Sequence, residues 1–179
     1  MPTSRPYFTS WLCDFILETK PKSILDIGVG FGSFGVLARE YTDIWNGNYQ
    51  KYEWLTRIDG VEIFKNYRND IYWSIYNNIY MGDICDVVDT LNISYDLILI
   101  KDCLEHIEKE NGKVLLEKIN KLGRFVVIIT PIEVFMQGPV FGNDAETHRS
   151  SWCVNDFKKA IYTEEVGNAL LVVIENDIK

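Results

Sequence analysis

No two cysteines in this chain stand at C-x-x-C spacing. The four, Cys13, Cys85, Cys103 and Cys153, are scattered through 179 residues. Neither a zinc ribbon nor a dithiol redox site is readable, and reduced, partly buried thiols are expected. No set of metal ligands at a recognisable spacing occurs either, with two histidines in the whole chain, His106 and His148, so no metal is expected. Basic runs are absent: 18 Lys and Arg face 26 Asp and Glu, for a formal charge of −8 and a pI near 4.8. Phosphate binding depends on clustered cations, which argues against an extensive nucleic-acid interface but leaves room for an RNA held by a local patch. No apolar run approaches the roughly 18 residues of a membrane span, and Met1–Lys20 lacks the apolar core of a secretory signal. A cytoplasmic protein without membrane partners is the expectation.

What is present suits one domain over residues 1–179, since 47% hydrophobic residues in a chain of this length can fill a full core. Periodicity and punctuation give an order of elements. Trp11, Leu12, Phe15 and Ile16 share a helical face closed by Pro21. Strands follow at 23–27 and 57–61, with a helix at 34–41 and a polar, aromatic insertion at 42–56 between them. A helix over 65–77 precedes a short strand at 79–81. Tyr95–Ile100 is apolar apart from Asp96, as in a strand buried on both faces. A helix over 108–122 with Gly123 as its cap, a strand at 124–130, and a short helix over 155–160 come next. The final runs 161–166 and 169–175 flank Gly167-Asn168, a hairpin signal. Strands alternating with helices predict an α/β, doubly wound, mostly parallel sheet.

The most informative stretch is Ser23–Gly35, SILDIGVGFGSFG. A short apolar strand carries Asp26; Gly28, Gly30 and Gly32 follow at alternate positions, and then a helix starts. Glycines between strand and helix let backbone approach a ligand closely. A dinucleotide fingerprint would place its third glycine at position 33, which is Ser33 here. The pattern is D-x-G-x-G-x-G, whose acid suits a cationic amine better than a pyrophosphate.

This motif resembles the first motif of the class I S-adenosylmethionine-dependent methyltransferases. The resemblance implies a seven-stranded sheet with an antiparallel C-terminal hairpin strand, S-adenosylmethionine as cofactor, and transfer of its methyl to an acceptor, of small-molecule or glycan type. Ligands in open parallel sheets bind beyond the carboxyl ends of strands, so the acids found there are the candidates. Asp26 either fixes the glycine turn or recognises the cofactor's amino-acid moiety. Glu62, with Ile63 beside it, ends the second strand and suits two ribose hydroxyls, with Asp59 as its competitor. Glu62 comes later than the roughly 20 residues of the dinucleotide pattern, an excess that matches the 42–56 insertion. Asp83 and Ile84 follow the third strand, where the family places the adenine; Asp83 alternatively caps the next helix. Four acids and no arginine nearby agree with a positively charged sulfonium and not with NADP.

After the fourth strand come Lys101, Asp102, Cys103, Leu104, Glu105 and His106; many members of the superfamily carry an acid and then Leu-Glu-His here. Asp102 falls where the transferred methyl would sit, and His106 is either a general base or a packing residue. The loop 131–152 is unusually long for a compact domain. It ends in H-x-S-x-W, similar to segments of some small-molecule and glycan-associated methyltransferases. His148 is the first-ranked base, facing the pocket, with Trp152 anchoring the loop. Tyr7, Phe8, Tyr49, Tyr52 and Trp54 either wall a lid or pack at the sheet edge. Two other readings stay open: a methyltransferase-like subunit that binds without catalysis, and a nicotinamide oxidoreductase.

Overall fold

The computed structural model describes residues 5–133 and 136–178. Seven strands form one sheet: β1 (Ser23–Ile27), β2 (Arg57–Glu62), β3 (Asn78–Met81), β4 (Tyr95–Lys101), β5 (Gly123–Pro131), β6 (Ala160–Val166) and β7 (Ala169–Glu175). Their order is β3-β2-β1-β4-β5-β7-β6. The first five run parallel, and β7 enters antiparallel between β5 and β6. The expected doubly wound sheet with a reversed hairpin strand is therefore present.

Two apolar layers sandwich the sheet, and β4 shows how one strand feeds both. Leu97 and Leu99 point into a layer with Leu12, Ile16, Ala38 and Tyr76. Ile98 and Ile100 point into the opposite layer, with Leu115, Ile119 and Trp152. Side chains alternate faces along a strand, so a run buried on both sides must be apolar throughout. Helices α1 (Thr9–Thr19), α2 (Ser33–Thr42) and α3 (Asp70–Ile75) cover the first face; α4 (Ile84–Val87) and α5 (Lys109–Ile119) cover the second. Strand order reverses between β1 and β4, so the loops leaving these two strands diverge and open a crevice above the sheet.

Three local expectations are corrected. The helix over 65–77 is two pieces, a 3-10 turn at Lys65–Tyr67 and then α3, because the Asn69 side chain accepts from the Ile71 N–H and starts a new helix. Gly123 is no helix cap but the first residue of β5, and a Cβ there would meet the Ile98 side chain at 2.7 Å. Residues 155–160 form no α-helix. A 3-10 turn at Val154–Asp156 is closed by Asp156 accepting from the Cys153 N–H, and Ala160 already pairs with Ile174 in the sheet. Of the two readings left open for the aromatics, packing holds for Phe8, buried in the core, and for Trp54, which lies under the Arg39 guanidinium, while Tyr49 and Tyr52 are exposed.

Candidate functional site

A cavity of about 950 Å³ opens at the carboxyl ends of β1, β2, β3 and β4, where the topology places a crevice. Its first wall is the glycine loop. Gly28, Gly30 and Gly32 have φ of +80°, +54° and +98°, the left-handed region that costs other residues about 1–2 kcal/mol. The Gly28 and Val29 N–H groups both donate to the Val61 carbonyl, at 3.0 and 3.2 Å. Gly30 donates to Glu62 Oε2 at 2.9 Å, and its carbonyl accepts from Tyr72 Oη at 2.6 Å.

Glu62 is 5% exposed, and its second oxygen accepts from the Phe64 N–H at 2.8 Å. Burial pushes its pKa up, against the pull of the Phe64 and Gly30 N–H groups. A carboxylate offers about four acceptor sites, so these bonds fix the group without exhausting it. Ile63 lies beside it on the cavity wall. Asp59 is elsewhere, in a buried network with Arg57 (2.7 Å), Tyr95 Oη (2.8 Å) and Asn78 (2.9 Å). Of the two competing acids, Glu62 alone lines the cavity. Asp83 lines it as well, and one of its oxygens caps α4 through the Cys85 N–H at 2.8 Å, as the capping reading expects; Ile84 follows on the same wall.

Two members of the expected set stand behind the loop. Asp26 does not line the cavity; its carboxylate accepts from Tyr76 Oη at 2.5 Å, in the layer beneath. Burial pushes its pKa up to about 6, with the Tyr76 bond opposing and the Glu62 charge adding. Alternation explains the placement, since Asp26 shares its face of β1 with Ile24, whose layer includes Tyr76. Gly32 does not line it either. A Cβ at Gly32 would lie 2.7 Å from Ile71, so this glycine serves helix packing.

Across the cavity, β4 runs into Lys101 and Asp102. Lys101 Nζ reaches Asp102 Oδ2 at 2.8 Å and the Arg5 carbonyl at 3.1 Å. Asp102 has φ +46°, uncommon for a residue with a side chain and tolerated best by Asp and Asn. His106 faces the cavity, and its Nδ1 is 3.2 Å from the Thr147 carbonyl. A carbonyl only accepts, so Nδ1 carries the proton and the lone pair rests on Nε2. Burial lowers its pKa, keeping the ring neutral near pH 7. Next to it, Glu105 is buried and desolvation pushes its carboxyl up to about 8.

The placement of His148 is corrected. It does not line the cavity; its ring packs beside that of His106, centroids 5.0 Å apart, so His106 is the histidine at the wall. The long loop is stapled onto the β4 turn. Arg149 and Ser150 N–H both donate to the Glu105 carbonyl at 2.8 and 3.0 Å, and Trp152 Nε1 donates to Ser150 Oγ at 2.8 Å. Trp152 is buried, against a face of α5 that Gly112 leaves open, where a Cβ would meet the ring at 2.6 Å. Residues 134 and 135 of this loop lie outside the described residues.

The structure also adds residues that the sequence did not point to. Tyr67 lines the cavity and donates to Glu146 Oε1 at 2.9 Å, tying the β2 side to the loop 79 positions later. Arg5 and Arg149 line it too, which overturns the expectation of a site without arginine. Arg149 is already paired with Asp144 at 2.7 Å. No local pattern marks these contacts, because each depends on chain segments brought together by folding.

No protein-family model and no curated protein matches the sequence. Solved structures do. An O-methyltransferase family protein from Burkholderia thailandensis superposes with a TM-score of 0.65 at 10% identity, over 94% of this chain and 56% of that one. This chain thus spans little more than half of that protein's length. A protein from Pyrococcus horikoshii gives 0.63 at 14% identity, over 95% and 88%. The magnesium protoporphyrin IX methyltransferase of Synechocystis PCC 6803, solved with bound SAH, gives 0.63 at 10%, over 94% and 81%. The fold is that of the class I S-adenosylmethionine-dependent methyltransferases.

Proposed function

We propose that this protein binds S-adenosylmethionine in the cavity and transfers its methyl group to a small-molecule acceptor, of a kind that includes sugars. One observation carries the reading: the glycine loop, Glu62 and Asp83 end three adjacent parallel strands and wall a single cavity at the switch point. The residues fit the cofactor. Glu62 is held by two backbone N–H groups with acceptor capacity to spare for ribose hydroxyls, and Asp83 keeps an oxygen free of its cap. Gly28 and Gly30 bring bare backbone to the same wall. The cofactor supplies an already activated methyl, so the protein's part is largely to position the acceptor.

The acceptor end lies beyond Asp102, where Asp102 and His106 are the two groups able to take a proton from an attacking oxygen or nitrogen. The net charge of −8 and an acceptor end framed by Asp102, Asp144 and Glu146 favour a small neutral or cationic acceptor over a nucleic acid. A cytoplasmic setting goes with this reading. The experiment is transfer of labelled methyl from S-adenosylmethionine to a panel of hydroxylated and amino metabolites. Product with any acceptor supports an enzyme. Tight cofactor binding with no product across the panel would favour the binding-subunit alternative.

A further inference from the structure

Glu105, His106 and His148 stand together although 42 residues separate the two histidines in sequence. One ligand-type atom from each lies within 4.8 Å of the others. A zinc ion holds nitrogen and carboxylate oxygen at about 2.0–2.2 Å, so its ligands sit about 3–4 Å apart, and small side-chain adjustments close the difference. We propose that these three side chains bind one divalent transition-metal ion of the zinc class, which clamps the loop after β5 onto the turn after β4.

Three observations converge on this. The cluster is preorganised by bonds that are not its own: Arg149 and Ser150 N–H hold the Glu105 carbonyl, Arg149 Nη1 holds the His106 carbonyl at 3.1 Å, and Ser150 Oγ and Trp152 Nε1 hold the Leu104 carbonyl at 3.3 Å. The loop's approach to the turn is therefore set before any ligand arrives. Second, His106 donates through Nδ1 to a backbone carbonyl, the support that fixes tautomer and orientation in metal-bound histidines, and it leaves Nε2 with a lone pair. Third, the Glu105 carboxyl is only 2% exposed, with Thr130 Oγ1 donating to its Oε2 at 3.3 Å; ionising it alone in that setting is costly, and a bound cation offsets the cost.

The donor set chooses the ion. Two imidazoles and one carboxylate suit zinc and its first-row neighbours, whereas magnesium and calcium take oxygen ligands. A three-residue set also leaves a fourth position open, as in catalytic zinc sites. His106 sits on the cavity wall while Glu105 and His148 lie behind it. With an ion on Nε2, His106 becomes a ligand and Asp102 is left as the proton acceptor at the acceptor end. That last consequence rests on the methyltransferase reading; the metal site itself does not.

The test uses tag-free full-length protein stripped with chelator and titrated calorimetrically with Zn²⁺, with Mg²⁺ in parallel and no cofactor present. Expected is one Zn²⁺ per chain and no Mg²⁺ binding, loss of the stoichiometric site in His148→Ala and in Glu105→Gln, and retention in Cys153→Ser. Limited proteolysis of the loop 136–151 should slow when Zn²⁺ is added to wild type and stay unchanged in His148→Ala. His148 lies in a loop, and circular dichroism checks that its variant stays folded. No Zn²⁺ uptake by wild type, or equal uptake by His148→Ala, overturns the proposal. Zn²⁺ binding without S-adenosylhomocysteine binding would sink the methyltransferase reading and leave the metal site standing; the reverse pattern would do the opposite.

Discussion

The two rims of the cavity are held in different ways. On the β1–β3 side, each cavity-lining group sits within about three residues of a strand end, and short-range geometry fixes it: left-handed glycines, a carboxylate gripping the N–H groups of Gly30 and Phe64, an aspartate capping α4. On the β4–β5 side, a long loop reaches back to a turn more than 40 residues earlier and is pinned to the carbonyls of Leu104, Glu105 and His106. The first rim is part of the sheet's own architecture. The second is an attachment, which is where proteins that share a fold can differ in what they bind.

The largest expected effect separates the rims outright. Gly30→Val forces a β-branched side chain into φ +54° on the cavity wall. S-adenosylhomocysteine binding by calorimetry should disappear while circular dichroism stays native. Normal binding would show that the glycine loop is not the cofactor wall.

Next comes the anchor of the other rim. Trp152→Ala empties a buried site between α5 and the loop and should cost about 3–5 kcal/mol, read from denaturant unfolding. A cost under about 1 kcal/mol would mean that the loop is not held by this ring.

Asp26 should show itself through pH. Its folded pKa of about 6 lies above the ordinary 3.8, so the folded state keeps a proton that the unfolded chain has lost. Stability should therefore fall as pH rises from about 4 to about 6, and Asp26→Asn should flatten that slope in melting temperature against pH. An unchanged slope would refute the assignment.

The gentlest comparison is between neighbouring acids. Removing a carboxylate bonded to hydroxyls costs about 1.5–3 kcal/mol, so Glu62→Ala should weaken S-adenosylhomocysteine about ten- to a hundredfold. Asp59→Ala should lower the melting temperature, by stripping Tyr95 and Arg57 of their partner, with little change in affinity. The opposite pattern would exchange their roles.

These differences explain what the sequence could disclose. The β1–β3 rim was legible because D-x-G-x-G-x-G and strand-ending acids are local patterns, though side-chain alternation puts Asp26, and helix packing puts Gly32, behind the wall. The reversed hairpin was readable from Gly167-Asn168 between two strand-like runs. Across the cavity, Tyr67 meeting Glu146 and His106 meeting His148 are contacts of the folded chain without a sequence spacing to announce them. The same holds for Gly123, whose lack of a Cβ answers to Ile98 in a neighbouring strand and not to the helix before it.

The central claim is that this cavity takes S-adenosylmethionine. Calorimetric titration of the full-length protein with S-adenosylhomocysteine, and in parallel with NAD, tests it most directly. The account predicts one S-adenosylhomocysteine per chain, competed by S-adenosylmethionine, and no heat from NAD. Binding of NAD instead, or of neither, would contradict it.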